Sequence, residues 1–366
     1  MNKNIKRSVA IVGIIAASSV AMTACSETGK EGSSDAPKIE GLSNTTGQLV
    51  AEGASSQQNA LDLFGKAYGE AVPGAQFSYN PSGSGAGQKQ FIAKQVAFGG
   101  SDSPMNEEQA AKAKERCGGN DAWHLPMVVG PVAVAYNLEG VDNLVLTPEL
   151  IAKIFKGEIK KWNDPAIAAV NKDAKLPDSD ISVLYRSEES GTSDNFQKFL
   201  KASAPQVWDT TGKQFPSGVG SGANGSKGVT DQVKQTPGAI TYVESGFAKD
   251  SNLGITDIDF GKGPVKLSNE TVNNALQHVK YKGEGHDMIV DSNALFAQKE
   301  ADSYPLALTT YELVCSAGYD AQTRDMVKDF LKVALHSQDD SLSEAGYVPV
   351  SGEYKGKLEA AVDAMK

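Results

Sequence analysis

The sequence has few of the residues on which much enzyme chemistry depends, with only four His and three Cys among 366 residues. The His residues show no HExxH or other close metal-ligand spacing, and no G-x-S-x-G nucleophile elbow is present. Basic residues are also in deficit: 35 Lys and Arg against 45 Asp and Glu give a net charge of −10. Because nucleic-acid binding depends on Lys and Arg contacts to phosphates, this balance argues against such a partner. We expect no metal, no cofactor, no catalysis and no nucleic acid.

Long apolar runs are equally scarce, and no segment after residue 24 reaches transmembrane length. Hydrophobic residues make up 40% of the chain and charged residues 22%, which is typical of globular protein and excludes coiled coil, collagen and general disorder. The length suggests two domains.

Residues 1–24 are predicted to be a signal peptide, because Lys3, Lys6 and Arg7 precede a short apolar run. Met22-Thr23-Ala24-Cys25 resembles a bacterial lipobox, which predicts a palmitate-bearing lipid on Cys25. An ordinary secretory signal is the alternative. Residues 25–48 are polar and are predicted to form a flexible tether after the lipidated Cys25, leaving the protein on the extracytoplasmic face of the cell membrane.

Cys117 and Cys315 remain, and an even remainder in an exported protein suggests a disulfide. Two separate thiols are the alternative.

The body alternates strands, Gly/Ser turns and helices, which predicts an α/β fold with binding loops at strand ends. Apolar residues from Ala60 to Tyr68 fall at helical spacing. Two apolar, β-rich stretches, 128–136 and 306–315, are interpreted as crossovers between two domains. The predicted limits are 49–130 plus 308–366 for domain I and 131–307 for domain II.

Four Gly/Ser loops carry the candidate chemistry, because helix N-termini offer free N–H groups and hydroxyls add donors. They are Gly53-Ala54-Ser55-Ser56, Ser82-Gly83-Ser84-Gly85, Ser101-Asp102-Ser103-Pro104 and Ser190-Gly191-Thr192-Ser193. Plain N-capping explains any one alone, but four together favour an oxyanion site.

Two charged residues refine this hypothesis. Arg186 precedes one loop and offers a planar donor fork; a surface ion pair with Glu188 or Glu189 is its alternative. Asp102 suits an anion only if that anion carries a proton, and it would reject an unprotonated one; N-capping is its alternative.

A further Gly-rich stretch is discounted. Residues 220–225 match G-x-G-x-x-G, but no apolar strand precedes them, and Gly225-Ser226-Lys227 is not a P-loop.

The residues from Ile154 to Phe196, with FGGSDSPM at 98–105, TPGAITYVES at 236–245 and GYVPV at 346–350, closely match one family. The sequence resembles the phosphate-binding lipoprotein of the bacterial phosphate-specific ABC transporter. The resemblance implies a two-domain, type II periplasmic-binding-protein-like clamp with two crossover strands. It also implies these phosphate contacts: Ser55, Ser56, Ser84, Asp102, Arg186, Ser190, Gly191 and Thr192.

Two departures from the family pattern occur at the site. The family's usual G-A-T-F reads Gly53-Ala54-Ser55-Ser56 here, so at Ser56 only the backbone N–H contact is retained with certainty. The common D-G before S-G-T reads Glu188-Glu189, where Glu188 would orient Arg186 and Glu189 replaces a glycine.

The implied function is capture of inorganic phosphate by a monomer and its delivery to membrane permease subunits with their ATPase. Two other hypotheses stay open: a secreted phosphatase on the same fold, and a surface adhesion or regulatory protein that binds phosphate incidentally.

Overall fold

Strands and helices alternate along the part of the chain that the structure describes, a computed structural model of residues 39–277 and 279–366. The strands are β1 Gln48–Gly53, β2 Gln76–Asn80, β3 Phe98–Ser101, β4 Ala122–Tyr136, β5 Val145–Leu146, β6 Ser182–Arg186, β7 Ser221–Ala223, β8 Ala239–Glu244, β9 Gly254–Ile255, β10 Asp257–Asp259, β11 Pro264–Val265 and β12 Ala307–Cys315. The helices are α1 Gln58–Ala71, α2 Ser84–Ile92, α3 Glu107–Arg116, α4 Pro148–Phe155, α5 Pro165–Val170, α6 Gly191–Ser203, α7 Gly225–Gln235, α8 Ser245–Asp250, α9 Asn269–Leu276, α10 Ser292–Phe296, α11 Ala321–His336, α12 Asp340–Glu344 and α13 Gly352–Ala364.

One large sheet has the strand order β2-β1-β3-β12-β4-β8-β6-β7, with β9 also paired to β4. At one end β1 pairs in parallel with β2 and β3, and at the other end β6 pairs in parallel with β7 and β8. Antiparallel pairing of β12, β4 and β8 joins these two patches. Each parallel neighbour is reached through a helix, because a tight turn can connect only antiparallel strands.

The strand β4 is shared between the two patches. Its residues up to Pro131 pair with β12, whereas Val132–Tyr136 pair with β8. The returning chain meets it at the same place, since the Val132 N–H donates to the carbonyl of Leu306 at 2.9 Å. The two predicted crossover stretches are thus adjacent antiparallel strands, while the exact domain limits stay predictions.

The core follows the sequence pattern. The helix α1 buries Ala60, Leu61, Phe64 and Tyr68, which is the predicted apolar face. Every residue of β12 is buried, including Thr310. A strand buried on both faces has a nearly continuous run of apolar residues in its sequence. Its few polar side chains must therefore find hydrogen-bond partners inside the protein.

The disulfide Cys117–Cys315 joins the end of α3 to the end of β12, with the Cα atoms 5.4 Å apart. Both cysteines are fully buried. The bond therefore ties a helix of the N-terminal part to the strand by which the chain returns.

The described end of the predicted tether contacts the body. The backbone N–H and hydroxyl of Ser43 donate to the carboxylate of Asp329 on α11, both at 2.8 Å. The predicted signal peptide and Cys25 lie outside the described residues. Among residues 39–277 and 279–366, no helix has the length and apolar character to cross a membrane.

Candidate functional site

The residues predicted to bind the ligand lie together where parallel strands end. We call the loops after β1, β2 and β3 the first side of the site, and the end of β6 with the first turns of α6 and α7 the second side. Carboxyl ends of parallel strands share one edge, so the helices that follow present their N–H-rich first turns to a common point. All the predicted residues are buried: Ser55, Ser56, Ser84 and Asp102 on the first side, and Arg186, Ser190, Gly191 and Thr192 on the second.

Direct hydrogen bonds connect the two sides. Arg186 Nη2 donates to Ser55 Oγ at 2.7 Å, and the Gly191 N–H donates to Ser84 Oγ at 3.2 Å. Asn195 Nδ2, in the first turns of α6, donates to the carbonyl of Asp102 at 2.7 Å. The predicted residues of both sides thus form one closed cluster.

Asp102 is surrounded by uncharged donors. Its Oδ1 accepts hydrogen bonds from the hydroxyls of Ser56 at 2.6 Å and Thr310 at 2.7 Å, whereas within the described residues its Oδ2 is contacted by Ser84 Oγ alone, at 3.4 Å. Burial raises the pKa of Asp102 to about 6, and the charge of Glu244 acts in the same direction against the lowering effect of the hydroxyls. At neutral pH the carboxylate is mostly ionised, so its Oδ2 can accept a hydrogen bond from a protonated ligand.

Arg186 is held by a carboxylate instead. Its Nε donates to Glu188 Oε1 at 2.7 Å, its Nη2 contacts the same oxygen, and its Nη1 donates to Thr192 Oγ1 at 3.2 Å. Burial alone lowers the pKa of the guanidinium, but Glu188 and Glu244 raise it above its ordinary value. The side chain is therefore a fixed positive charge, oriented by Glu188 as the family resemblance implies.

The capping alternatives are decided separately for Ser190 and Asp102. Ser190 is the N-cap of α6, because its hydroxyl accepts the Ser193 N–H at 3.2 Å. Asp102 caps no helix; Asn106 caps α3 and accepts the Gln109 N–H.

Glu189 joins the two sides at the rim of the site. Its carbonyl accepts the Gly85 N–H at 2.9 Å, and its carboxylate pairs with Lys89 Nζ at 2.7 Å. A Cβ at Gly85 would lie 2.2 Å from Glu189 Oε2 and 2.4 Å from Glu189 Cβ. The glycine in the first turn of α2 therefore makes room for the glutamate that replaces the family's glycine.

Besides Asn195, three of the described site residues escaped the sequence analysis. Ser226 belongs to the discounted Gly-rich stretch, yet it contacts both Ser55 and Arg186. Glu244 Oε1 accepts the Thr192 hydroxyl at 2.7 Å, and Thr310 contacts Asp102 as described. The available signals were a fifth Gly/Ser loop before a helix, and polar residues inside otherwise apolar strands.

The histidines form no metal centre within the described residues, where no group of three His, Cys, Asp or Glu side chains has the geometry to hold a metal ion. His124 is structural: its Nδ1 contacts Asp287 Oδ1 at 2.7 Å, and its Nε2 accepts the Met105 N–H at 3.0 Å.

Known proteins that are similar to this chain point to one family. Residues 39–338 match a family model described as a PBP superfamily domain. The chain is 40% identical over 371 residues to the phosphate-binding protein PstS3 of Mycobacterium bovis, covering 97% of this chain and 98% of that protein. It is 32% identical over 297 residues to the phosphate-binding protein PstS of Xylella fastidiosa, covering 79% and 78%.

Solved structures resemble it in fold. A high-affinity periplasmic phosphate-binding protein (PfluDING) bound with phosphate superposes with a TM-score of 0.70 at 22% identity, covering 86% of this chain and 93% of the other. A phosphate-binding protein from Stenotrophomonas maltophilia gives 0.67 at 21% identity, covering 86% and 94%. The predicted fold class, a two-domain type II clamp, is confirmed.

Proposed function

Because this chain belongs to the family of PstS-type phosphate-binding proteins, we propose that it captures inorganic phosphate between its two sides and delivers it to an ABC-type permease. Domain I supplies Ser55, Ser56, Ser84 and Asp102, and domain II supplies Arg186 and the first turn of α6. Only the closed form makes both sets of contacts, so binding favours closure.

The proposal rests on the composition of the site, which offers many hydrogen-bond donors and a buried acceptor. Hydroxyls, helix N-termini and one guanidinium offer donors, while Asp102 Oδ2 is a buried acceptor whose one contact among the described residues, with Ser84 Oγ at 3.4 Å, is long. A protonated phosphate supplies acceptors and one donor, and so satisfies both. Sulfate has no proton at neutral pH and would place two acceptors face to face, which excludes it.

Titration calorimetry of the purified, phosphate-stripped protein tests this directly, with phosphate and sulfate in parallel. We expect phosphate binding without sulfate heat, and a fall of about 100-fold or more in the preference for phosphate in Asp102→Asn, whose amide can donate to sulfate. Failure of the refolded wild-type protein to bind phosphate would overturn the proposal.

We infer a monomeric, lipid-anchored protein on the extracytoplasmic face, attached through Cys25 and working with permease subunits and their ATPase. The lipobox resemblance supports the anchor, and metabolic labelling with a palmitate analogue tests it, since Cys25→Ser should abolish labelling. The names of its relatives support binding rather than catalysis, and phosphomonoesterase activity would contradict that.

A further inference from the structure

Ser226 is the second residue of α7, on the second side of the site, and is fully buried. Its backbone N–H donates to Ser55 Oγ at 3.0 Å, and the two hydroxyl oxygens are 3.1 Å apart. Its Oγ also accepts a hydrogen bond from Arg186 Nη1 at 3.0 Å. One residue outside the predicted ligand set thus contacts a predicted ligand on each side.

These contacts determine which way the Ser55 hydroxyl points its proton. A hydroxyl oxygen has two lone pairs and one proton. At Ser55 the lone pairs are occupied by N–H donors, Arg186 Nη2 at 2.7 Å and the Ser226 N–H at 3.0 Å. The Ser55 proton is therefore free only to be donated, either to Ser226 Oγ or to an oxygen of a bound anion.

The hydroxyl of Ser84 is arranged in the same way. It accepts the Asp102 N–H at 3.0 Å and the Gly191 N–H at 3.2 Å, so it too is restricted to donating. Ser84 Oγ lies 3.4 Å from Asp102 Oδ2. When Ser84 donates to an oxygen of a bound phosphate instead, Asp102 Oδ2 is left to accept a hydrogen bond from the phosphate proton.

We propose that Ser226 is a positioning residue of the phosphate site, which fixes the Ser55 hydroxyl as a donor and connects it to Arg186. This inference rests on the proposed function. Because Ser55 and Ser226 come from opposite sides, their contact exists only when the site is closed. Ser226 therefore acts on the release of phosphate more than on its capture.

The test compares Ser226→Ala with Ser226→Thr and with Thr230→Val. Thr230 is a buried residue one turn further along α7. Its hydroxyl donates to the backbone carbonyls of Ser226 and Lys227 and, among the described residues, makes no hydrogen bond to a predicted phosphate ligand. Phosphate Kd is measured by calorimetry, and the release rate by chase of radiolabelled phosphate with unlabelled phosphate.

We expect Ser226→Ala to raise the phosphate Kd about tenfold, chiefly through faster release, because a buried hydrogen bond to a charged group is lost. Ser226→Thr retains the hydroxyl and should stay within about threefold of the wild type, and Thr230→Val within about twofold. A double-mutant cycle with Ser55→Ala should show coupling, since Ser226 acts through Ser55.

Unchanged phosphate release in Ser226→Ala, or strictly additive effects with Ser55→Ala, would overturn the assignment. Equal weakening by Thr230→Val would do the same, because it would indicate a general effect on α7. Lack of phosphate binding by the wild-type protein would instead contradict the proposed function. Unfolding midpoints without phosphate identify a variant that fails to fold. If Ser226→Ala is such a variant, the phosphate release rates of Ser226→Thr and Ser55→Ala are compared with that of the wild type instead.

Discussion

The first side of the site buries Asp102 and the second side buries Arg186, and the surroundings of these two charged residues differ. Asp102 on the first side accepts hydrogen bonds from the hydroxyls of Ser56 and Thr310. Arg186 on the second side donates to the carboxylate of Glu188. Neutral donors compensate burial incompletely, so the pKa of Asp102 stands near 6. A full opposite charge keeps the guanidinium ionised.

This difference suggests a division of labour in the proposed function. The first side senses the proton of the ligand, because a weakly compensated carboxylate accepts a hydrogen bond readily. The second side provides the counter-charge, because a guanidinium paired with Glu188 keeps its charge at any ordinary pH.

The largest effect should follow removal of the cation from the second side. Arg186→Gln leaves Glu188 and Glu244 without their buried partner and removes the counter-charge for phosphate. We expect the phosphate Kd to rise at least about 100-fold, by calorimetry. Arg324→Gln, which removes a partly exposed guanidinium paired with Asp325, is the control. A change below about tenfold in Arg186→Gln would mean that dipoles alone bind the anion.

An intermediate effect on phosphate affinity is expected when one of the neutral donors to Asp102 is removed. Asp102 must be ionised to accept a hydrogen bond from the protonated phosphate, so phosphate affinity should fall as pH drops below about 6. Thr310→Val removes a hydroxyl that lowers the pKa of Asp102. The low-pH limb, meaning the pH range over which phosphate affinity falls, should therefore move about one unit to higher pH.

The measurement is the phosphate Kd between pH 5 and pH 8, at constant ionic strength. Thr309→Val, the preceding buried threonine of β12, is the matched control and should leave the limb in place. A limb that does not move in Thr310→Val would show that another group controls it.

The smallest effect concerns the rim, where the two sides meet in an ion pair rather than through buried groups. Lys89 and Glu189 side chains are 66% and 36% exposed, so their pair contributes at most about 1 kcal/mol. We expect Lys89→Met to speed phosphate release about two- to fivefold, less at high salt.

Glu189→Gln should have the same effect, and the double variant should add little to it. Lys112→Met breaks an exposed pair with Glu108 within α3 and serves as control. If phosphate release were equally fast in Lys112→Met, or if its rate in Lys89→Met did not depend on salt, the ion pair at the rim would have no part in holding the site closed.

Local sequence patterns predicted the parts of the site that lie next to one another along the chain. Apolar spacing gave α1, and the Gly/Ser loops marked where helices begin after strands. The family resemblance supplied the set of ligand residues, among them Ser84 and Thr192. The helix and the loops follow from backbone stereochemistry and periodicity, which act over a few residues and can be read without the fold, whereas the ligand set is what the resemblance implies.

Apart from Glu188, which the sequence already indicated for Arg186, the partners of Asp102 and Arg186 were settled only by strand register and helix placement. Thr310 reaches Asp102 because β12 runs antiparallel to β3, with Tyr311 opposite Ser101. A shift of one residue would turn Thr310 to the other face of the sheet. Ser226 likewise meets Ser55 across 171 residues of chain. The sequence alone determined the elements, the loops and the candidate ligands; the tertiary structure decided which buried polar groups satisfy them, because such hydrogen bonds depend on distances between strands and helices that no local pattern encodes.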